Sequence, residues 1–151
     1  MKAEHDLASI SRYLRRHHVL TLCAGDATHL WCANSFYIYD ADMAAFDIMT
    51  HTDTRHAQLM RRSPQVAGTV SDQQKNEMLI QGVQFRAEVR LLQGAEAHIA
   101  RDRYNARFAH ARRSSAPLWR LTLTELKMTD NRLRFGACLV WQREVVDAHS
   151  R

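Results

Sequence analysis

No run of about 18 apolar residues occurs in the chain, which removes a membrane-spanning helix from the readings open to it. Met1 to His18 is amphipathic and charged with no apolar signal-peptide core, so a protein neither anchored nor exported is expected, in the cytoplasm. Cysteine is scarce: the three residues, Cys23, Cys32 and Cys138, show no C-x-x-C spacing, which argues against zinc and against a disulfide framework. Each lies in an apolar, strand-like run, so buried thiols in a reducing compartment are expected. The basic residues form only short clusters, Arg15-Arg16, Arg61-Arg62 and Arg112-Arg113, and no basic stripe with interleaved aromatics marks a nucleic-acid surface. A βαβαβ rhythm is also missing, which excludes a parallel sheet.

What the chain does have is an ordinary globular composition. Its 151 residues, 46% hydrophobic and 25% charged, suffice for one domain over 1–151 with a real core, and a formal charge of +5 favours small anionic ligands. Leu7, Ile10 and Leu14 recur at helical spacing, predicting an amphipathic helix over 3–17 that braces something else. Val19 to Ala24, Leu30 to Tyr39 and Met43 to Thr50 read as three strands of an antiparallel meander. Gln65 to Val70 is a fourth strand, followed by the polar loop Ser71 to Glu77. In Met78 to Leu92, Val83, Phe85, Ala87, Val89 and Leu91 alternate with charged and polar residues, giving a long fifth strand with Gly82 as a candidate bulge.

Ala97, Ala100, Tyr104 and Phe108 form the stripe of a helix. A sixth strand runs through Trp119, Leu121 and Leu123 to Met128, and Leu133, Phe135, Ala137, Leu139 and Trp141 alternate on a seventh. The expected fold is mainly β: a six- to seven-stranded antiparallel barrel flanked by about three α-helices, since closure removes exposed strand edges. Val83, Phe85, Val89, Leu121, Leu133, Phe135 and Leu139 are expected to point inward. The charged alternates Arg86, Glu88 and Arg90, with Trp31, Phe36 and Tyr37 on nearby strands, leave more sheet surface than three helices cover, which favours an isologous dimer.

The polar groups crowd one joint. Phe46 to Met49 is strand, Thr50 to Asp53 is a turn, and Thr54 to Arg62 has helical composition ended by Ser63-Pro64. A helix N-terminus exposes unpaired backbone N–H groups and partial positive charge, and Thr50, Thr52, Thr54, Arg55 and His56 add donors around it, the chemistry of a phosphate cradle. The plainer alternative is a surface helix capped by Asp53 or Thr52. His51 and His56 with Asp53 are a weak metal set, because a strand end and a helix start do not aim both rings at one point. Cys32 near Asn34 is a weak nucleophile candidate. His98 and His110 read as helix-surface residues and His149 as part of a frayed tail.

Trp31-Cys-Ala-Asn-Ser-Phe-Tyr37, then Phe46-Asp-Ile-Met-Thr-His-Thr-Asp-Thr-Arg-His56, then Ser63-Pro64 followed by Val66-Ala67, then Ile80-Gln-Gly-Val-Gln-Phe85 together resemble the pyridoxamine 5′-phosphate oxidase-like family of FMN-binding split barrels, and within it the YhbP-like (UPF0306) branch. The likeness spans about residues 5 to 143. It implies a Greek-key split barrel and a homodimer with FMN in a groove at the interface. It puts Thr50, Thr54 and Arg55 on the phosphate, His56 where many members carry lysine, and Asn34 and Ser35 at the isoalloxazine edge, with Met49 also among the cofactor-binding residues. The oxidase's basic strand motif is replaced here by Cys32-Ala-Asn-Ser35. Near the end, Lys127, Met128, Arg132 and Arg134 give no clear match to the tryptophan and arginines that the oxidase supplies to its partner's active site. Two functions follow: a flavin-dependent oxidoreductase of unspecified substrate, or a non-catalytic dimeric module that binds a ligand or partner on the same barrel.

Overall fold

A computed structural model describes residues 2–144. Three α-helices, α1 (Lys2–Arg16), α2 (Arg55–Arg62) and α3 (Gly94–Arg107), accompany seven strands: β1 (Val19–Gly25), β2 (Leu30–Asp40), β3 (Ala45–Met49), β4 (Gln65–Ser71), β5 (Gln81–Leu91), β6 (Leu118–Asp130) and β7 (Cys138–Gln142). The sheet order is β3-β2-β1-β4-β5-β6-β7, every pairing is antiparallel, and β3 also pairs with β6. The order β3-β2-β1-β4 is a Greek key, and the β3–β6 contact closes a six-stranded barrel with β7 outside it. Among the described residues no helix is long and apolar enough to cross a membrane.

The period-two pattern predicted most of the core. Leu20, Leu22, Val66, Val70, Val83, Phe85, Val89, Leu121 and Leu123 all face inward and are buried around Phe46. Gly68 sits opposite Phe85, and a Cβ there would lie 2.5 Å from Phe85 Cζ, so the ring takes the space a side chain would need. Helix α1 is the expected brace. It buries Ile10, Tyr13 and Leu14, and its ties span the barrel: Tyr37 Oη donates to the Leu14 carbonyl at 2.6 Å, Ser11 and Tyr39 share a 2.8 Å hydroxyl bond, and Val140 N–H donates to Asp6 at 3.2 Å.

Four expectations need correction. Leu133 and Phe135 are 64% and 68% exposed, because β6 runs on to Asp130 and both residues fall in the turn before β7, where Gly136 takes φ +75°. Met78 and Leu79 are not strand; they belong to a short 3₁₀ turn, Glu77–Leu79, capped by the Asn76 side chain on Met78 N–H at 3.0 Å. Gly82 pairs regularly with Thr129, and the bulge instead lies in β6, where Thr124 is skipped as the register passes from Arg86↔Glu125 to Ala87↔Leu123. The thiols are not buried: Cys32 and Cys138 are exposed and Cys23 is half-buried, since alternation puts all three on the side of their strands away from the core.

That bulge marks where β6 changes partners. Its first half pairs with β3 and its second with β7, and at the junction Arg143 Nε donates to the Leu123 carbonyl at 2.7 Å and Nη2 to those of Met43 and Ala44 at 2.7 and 3.2 Å. Nearer the start of β6 the closure is ionic. Asp47 and Arg120 are directly opposite in the ladder and bond in bidentate fashion, Nε to Oδ1 at 2.8 Å and Nη2 to Oδ2 at 3.1 Å, with side chains only 6% and 10% exposed. Asp47→Ala should therefore strand a buried guanidinium and cost ~3–5 kcal/mol, whereas Asp47→Leu combined with Arg120→Met should cost much less. Urea denaturation of the two variants checks this; equal losses would mean that shape and not charge governs the contact.

Candidate functional site

Where β3 leaves β6, the backbone of Thr50 is held from both sides: its N–H donates to the Pro117 carbonyl at 3.2 Å, and its carbonyl accepts the Trp119 Nε1–H at 3.0 Å. Four residues later Thr54, in extended conformation, caps α2. Its hydroxyl accepts Ala57 N–H at 3.2 Å and donates to the His51 carbonyl at 2.9 Å, so Thr54 is the cap in place of the expected Asp53 or Thr52. The cap aims the first turn of α2 back at Thr50. His56 Nε2 then lies 2.7 Å from Thr50 Oγ1 and 3.4 Å from Thr54 Oγ1.

Beside this joint is a cavity of about 460 Å³, in the size range of small-molecule sites. Of the seven residues predicted to hold a cofactor, Asn34, Ser35, Met49, Thr50 and Thr54 line it, brought together from β2, the end of β3 and the α2 cap. His56 does not line it and reaches it through the hydroxyls of Thr50 and Thr54. Arg55 does not line it: its guanidinium carbon stacks 3.9 Å from the centre of the exposed Trp31 ring, on neighbouring β2. Thr21 Oγ1 donates to Asn34 Oδ1 at 2.7 Å, and Ser35 Oγ donates to the Phe36 carbonyl at 2.9 Å.

The opposite wall was not predicted. Helix α3 and the 3₁₀ turn after it (Ala109–Arg113) contribute Tyr104, His110 and Ala111, followed by Ser114 and Ala116 on the approach to β6. Tyr104 Oη donates to the Phe36 carbonyl at 3.3 Å, and burial pushes its pKa up to about 12, so it stays a neutral donor. Phe36 lies 5.1 Å from Phe108 and 5.4 Å from His110, ring centre to ring centre, an aromatic edge that joins β2 to the 3₁₀ turn. Val19 and Phe36 at the rim are 38% and 39% exposed. Both His51 and His110 line the cavity. His110, expected to be a helix-surface residue, is indeed exposed, and the 3₁₀ turn places it at the open rim of the cavity, a position that the sequence does not announce. His98 does lie on the helix surface, 3.7 Å from Asp102, and His149 is outside the described residues.

Chemically the cavity has an apolar floor and rim (Val19, Phe36, Met49, Ala111, Ala116) with hydroxyls and a helix N-terminus at one end. A flat ring carrying an anionic tail matches that division, the anion at the helix end where backbone N–H groups point outward. Burial pushes the His56 pKa below the ordinary imidazole value, so the ring is neutral near pH 7 and any anion there meets no fixed charge from it. Between the unfolded value near 6.5 and the lower folded one, the unfolded chain binds more protons, so this residue makes stability rise with pH. Its contribution should be complete above about pH 7 and shrink as pH falls through 6.5. His56→Gln should flatten that part of a melting-temperature profile, and the His56 ring should titrate below 6.5 by NMR. A midpoint above that value in the free protein would overturn the assignment.

No protein-family model matches the chain. A UPF0306 protein of Yersinia pestis bv. Antiqua (strain Angola) is 50% identical over 143 residues, covering 95% of this chain and 97% of its own. The UPF0306 protein YhbP of Escherichia coli O127:H6 is 51% identical over 137 residues, covering 91% and 98%. Among solved structures, a heme binding protein from Mycobacterium smegmatis superposes with a TM-score of 0.72 at 14% identity, over 93% of this chain and 57% of that one. HutZ, the heme storage protein from Vibrio cholerae, gives 0.65 at 16% identity over 82% and 91%. A FAD-binding protein from Mesorhizobium loti gives 0.67 at 14% identity over 80% and 91%. At such identities the structural likeness establishes the split-barrel fold alone.

Proposed function

The chain belongs to the UPF0306 family of pyridoxamine 5′-phosphate oxidase-like split barrels, and from that premise we propose that it binds FMN in the cavity between β2, the α2 cap and α3 and acts as an oxidoreductase on a small molecule. One observation carries the reading. Five of the residues singled out for a flavin, Asn34, Ser35, Met49, Thr50 and Thr54, come from separate elements and converge on one cavity at a helix N-terminus. In this reading Thr50 Oγ1 and the first N–H groups of α2 hold the phosphate. Met49 and Phe36 pack on the ring system, and Asn34 offers its amide to the ring's polar edge. Arg55 leaves Trp31 for the phosphate, exchanging a cation–π contact for a charge-assisted bond. A bound flavin would supply electron and hydride transfer; the chain's own part is to orient the ligand and, through the apolar rim, to keep water from it.

The unit proposed is the whole chain, in the cytoplasm, as a homodimer with the groove at its interface. The exposed Val19 and Phe36 at the cavity's mouth support that arrangement, because a second copy would cover them and complete the walls. Light scattering is expected to give twice the 17.5 kDa chain mass, and a monomer at micromolar concentration would remove the interface from the reading.

A second reading rests on His51 and His110, two imidazoles on the same cavity that are suited to ligate a haem iron. The solved neighbours from Mycobacterium smegmatis and Vibrio cholerae are named for heme. The two separate by titration. Added FMN should lose fluorescence on binding, and Thr50→Val and Arg55→Ala should each weaken it by roughly ten- to thirty-fold, the effect of losing one good hydrogen bond to an anion. If FMN fluorescence is unchanged while hemin gives a sharp Soret band that His110→Ala abolishes, the flavin reading fails and the haem reading replaces it.

A further inference from the structure

We propose that Cys23 and Cys32 form a reversible dithiol–disulfide site, operated by peroxide, on the outer face of the β1–β2 hairpin. The two residues are directly opposite in the ladder and their Sγ atoms are 3.0 Å apart, both as free thiols. The register type follows from the flanking backbone bonds. Tyr37 N–H donates to the His18 carbonyl at one end of the hairpin and Asp26 N–H to the His29 carbonyl at the other. Hydrogen-bonded pairs recur every second residue between them, which leaves Cys23↔Cys32 as a non-hydrogen-bonded pair. Such pairs have Cα atoms about 4.5 Å apart, at the short edge of the roughly 4.4–6.8 Å that a disulfide spans. A bond can therefore form without moving a strand.

The surroundings give the two thiols different parts. Cys32 is exposed and meets the oxidant first. Cys23 is half-buried and its thiol is pushed up to about 11, chiefly by its hydrogen bond with Cys32 and then by burial, so it keeps its proton until its neighbour has reacted. The chemistry balances in two steps. The Cys32 thiolate attacks one peroxide oxygen, breaking the O–O bond to give a sulfenic acid and hydroxide, which takes up a proton as water. The Cys23 sulfur then attacks the Cys32 sulfur, expelling the sulfenic oxygen as a second water with the Cys23 proton. In sum two thiols and hydrogen peroxide yield one disulfide and two waters.

Neither cysteine lines the candidate cavity, and Cys138, on β7 with three strands between it and β1 in the order β1-β4-β5-β6-β7, is a built-in control. The test uses the full-length protein titrated with hydrogen peroxide, then alkylated and digested. Accessible thiols are expected to fall from three to one, with the Cys23 and Cys32 peptides linked, two hydrogens lost and dithiothreitol restoring both. Cys138→Ser should behave as the parent for this pair. Cys23→Ser, checked for folding by circular dichroism, should stop at a Cys32 sulfenic acid that dimedone traps. Three thiols surviving the oxidant, a bridge that includes Cys138, or Cys32 passing to sulfinic acid while Cys23 stays free would each overturn the proposal.

Discussion

The barrel depends on one junction between strands far apart in the chain, the pairing of β3 with β6 that places Asp47 against Arg120. The other barrel contacts join strands that follow one another in the chain, by hairpins or across α3, or are the single Greek-key return, whereas this one must draw together segments separated by 73 residues and offset the loop entropy that such closure costs. A desolvated ion pair is a demanding way to do so, because each charge alone would be heavily penalised. The pair also fixes register, since sliding β3 by one residue would put both charges out of reach. Helix α3 is tied to the same point: Glu96 lies 3.5 Å from the Arg120 guanidinium and 2.7 Å from that of Arg90.

From that junction the candidate site follows. β3 ends at Met49 because Pro117 and Trp119, at the start of β6, take over the backbone of Thr50, and the turn that begins there hands the chain to α2. Helix α3, tied to Arg120 through Glu96 and packed on Ile38 and Leu118, supplies the facing wall. The cavity is thus the gap between a barrel seam and the helix that covers it. At its polar end Thr50 and Thr54 are held by hydrogen bonds, and Phe36 and Val19 at its apolar rim are more than a third exposed.

The sequence made the barrel legible because most strands bury one face only, so alternation at Val83, Phe85, Ala87 and Val89 named the inside directly. It misled at Leu133 and Phe135, where a turn imitates alternation, and at the cysteines, where an apolar neighbourhood was taken for burial although the residues occupy the outward positions of their strands. For the site, the strand-to-helix joint was readable from its crowd of threonines and its helix signals. The wall from Tyr104 to Ala116 was not, since its residues gain meaning only when α3 folds over the seam. The positions of Arg55 on Trp31 and of His56 against Thr50 are likewise decided by three-dimensional neighbours, which spacing along the chain cannot supply.

Trp119 has a consequence for how the molecule can be observed. Its indole is 2% exposed in the core, yet its N–H ends on the carbonyl of Thr50, whose side chain lines the cavity. Of the other two tryptophans in the described residues, Trp31 is 45% exposed and Trp141 is half-buried against the core, so an aqueous quencher should reach Trp31 most readily and Trp119 least. The chain therefore carries its own optical label, wired by one hydrogen bond to the residue on which the candidate site turns.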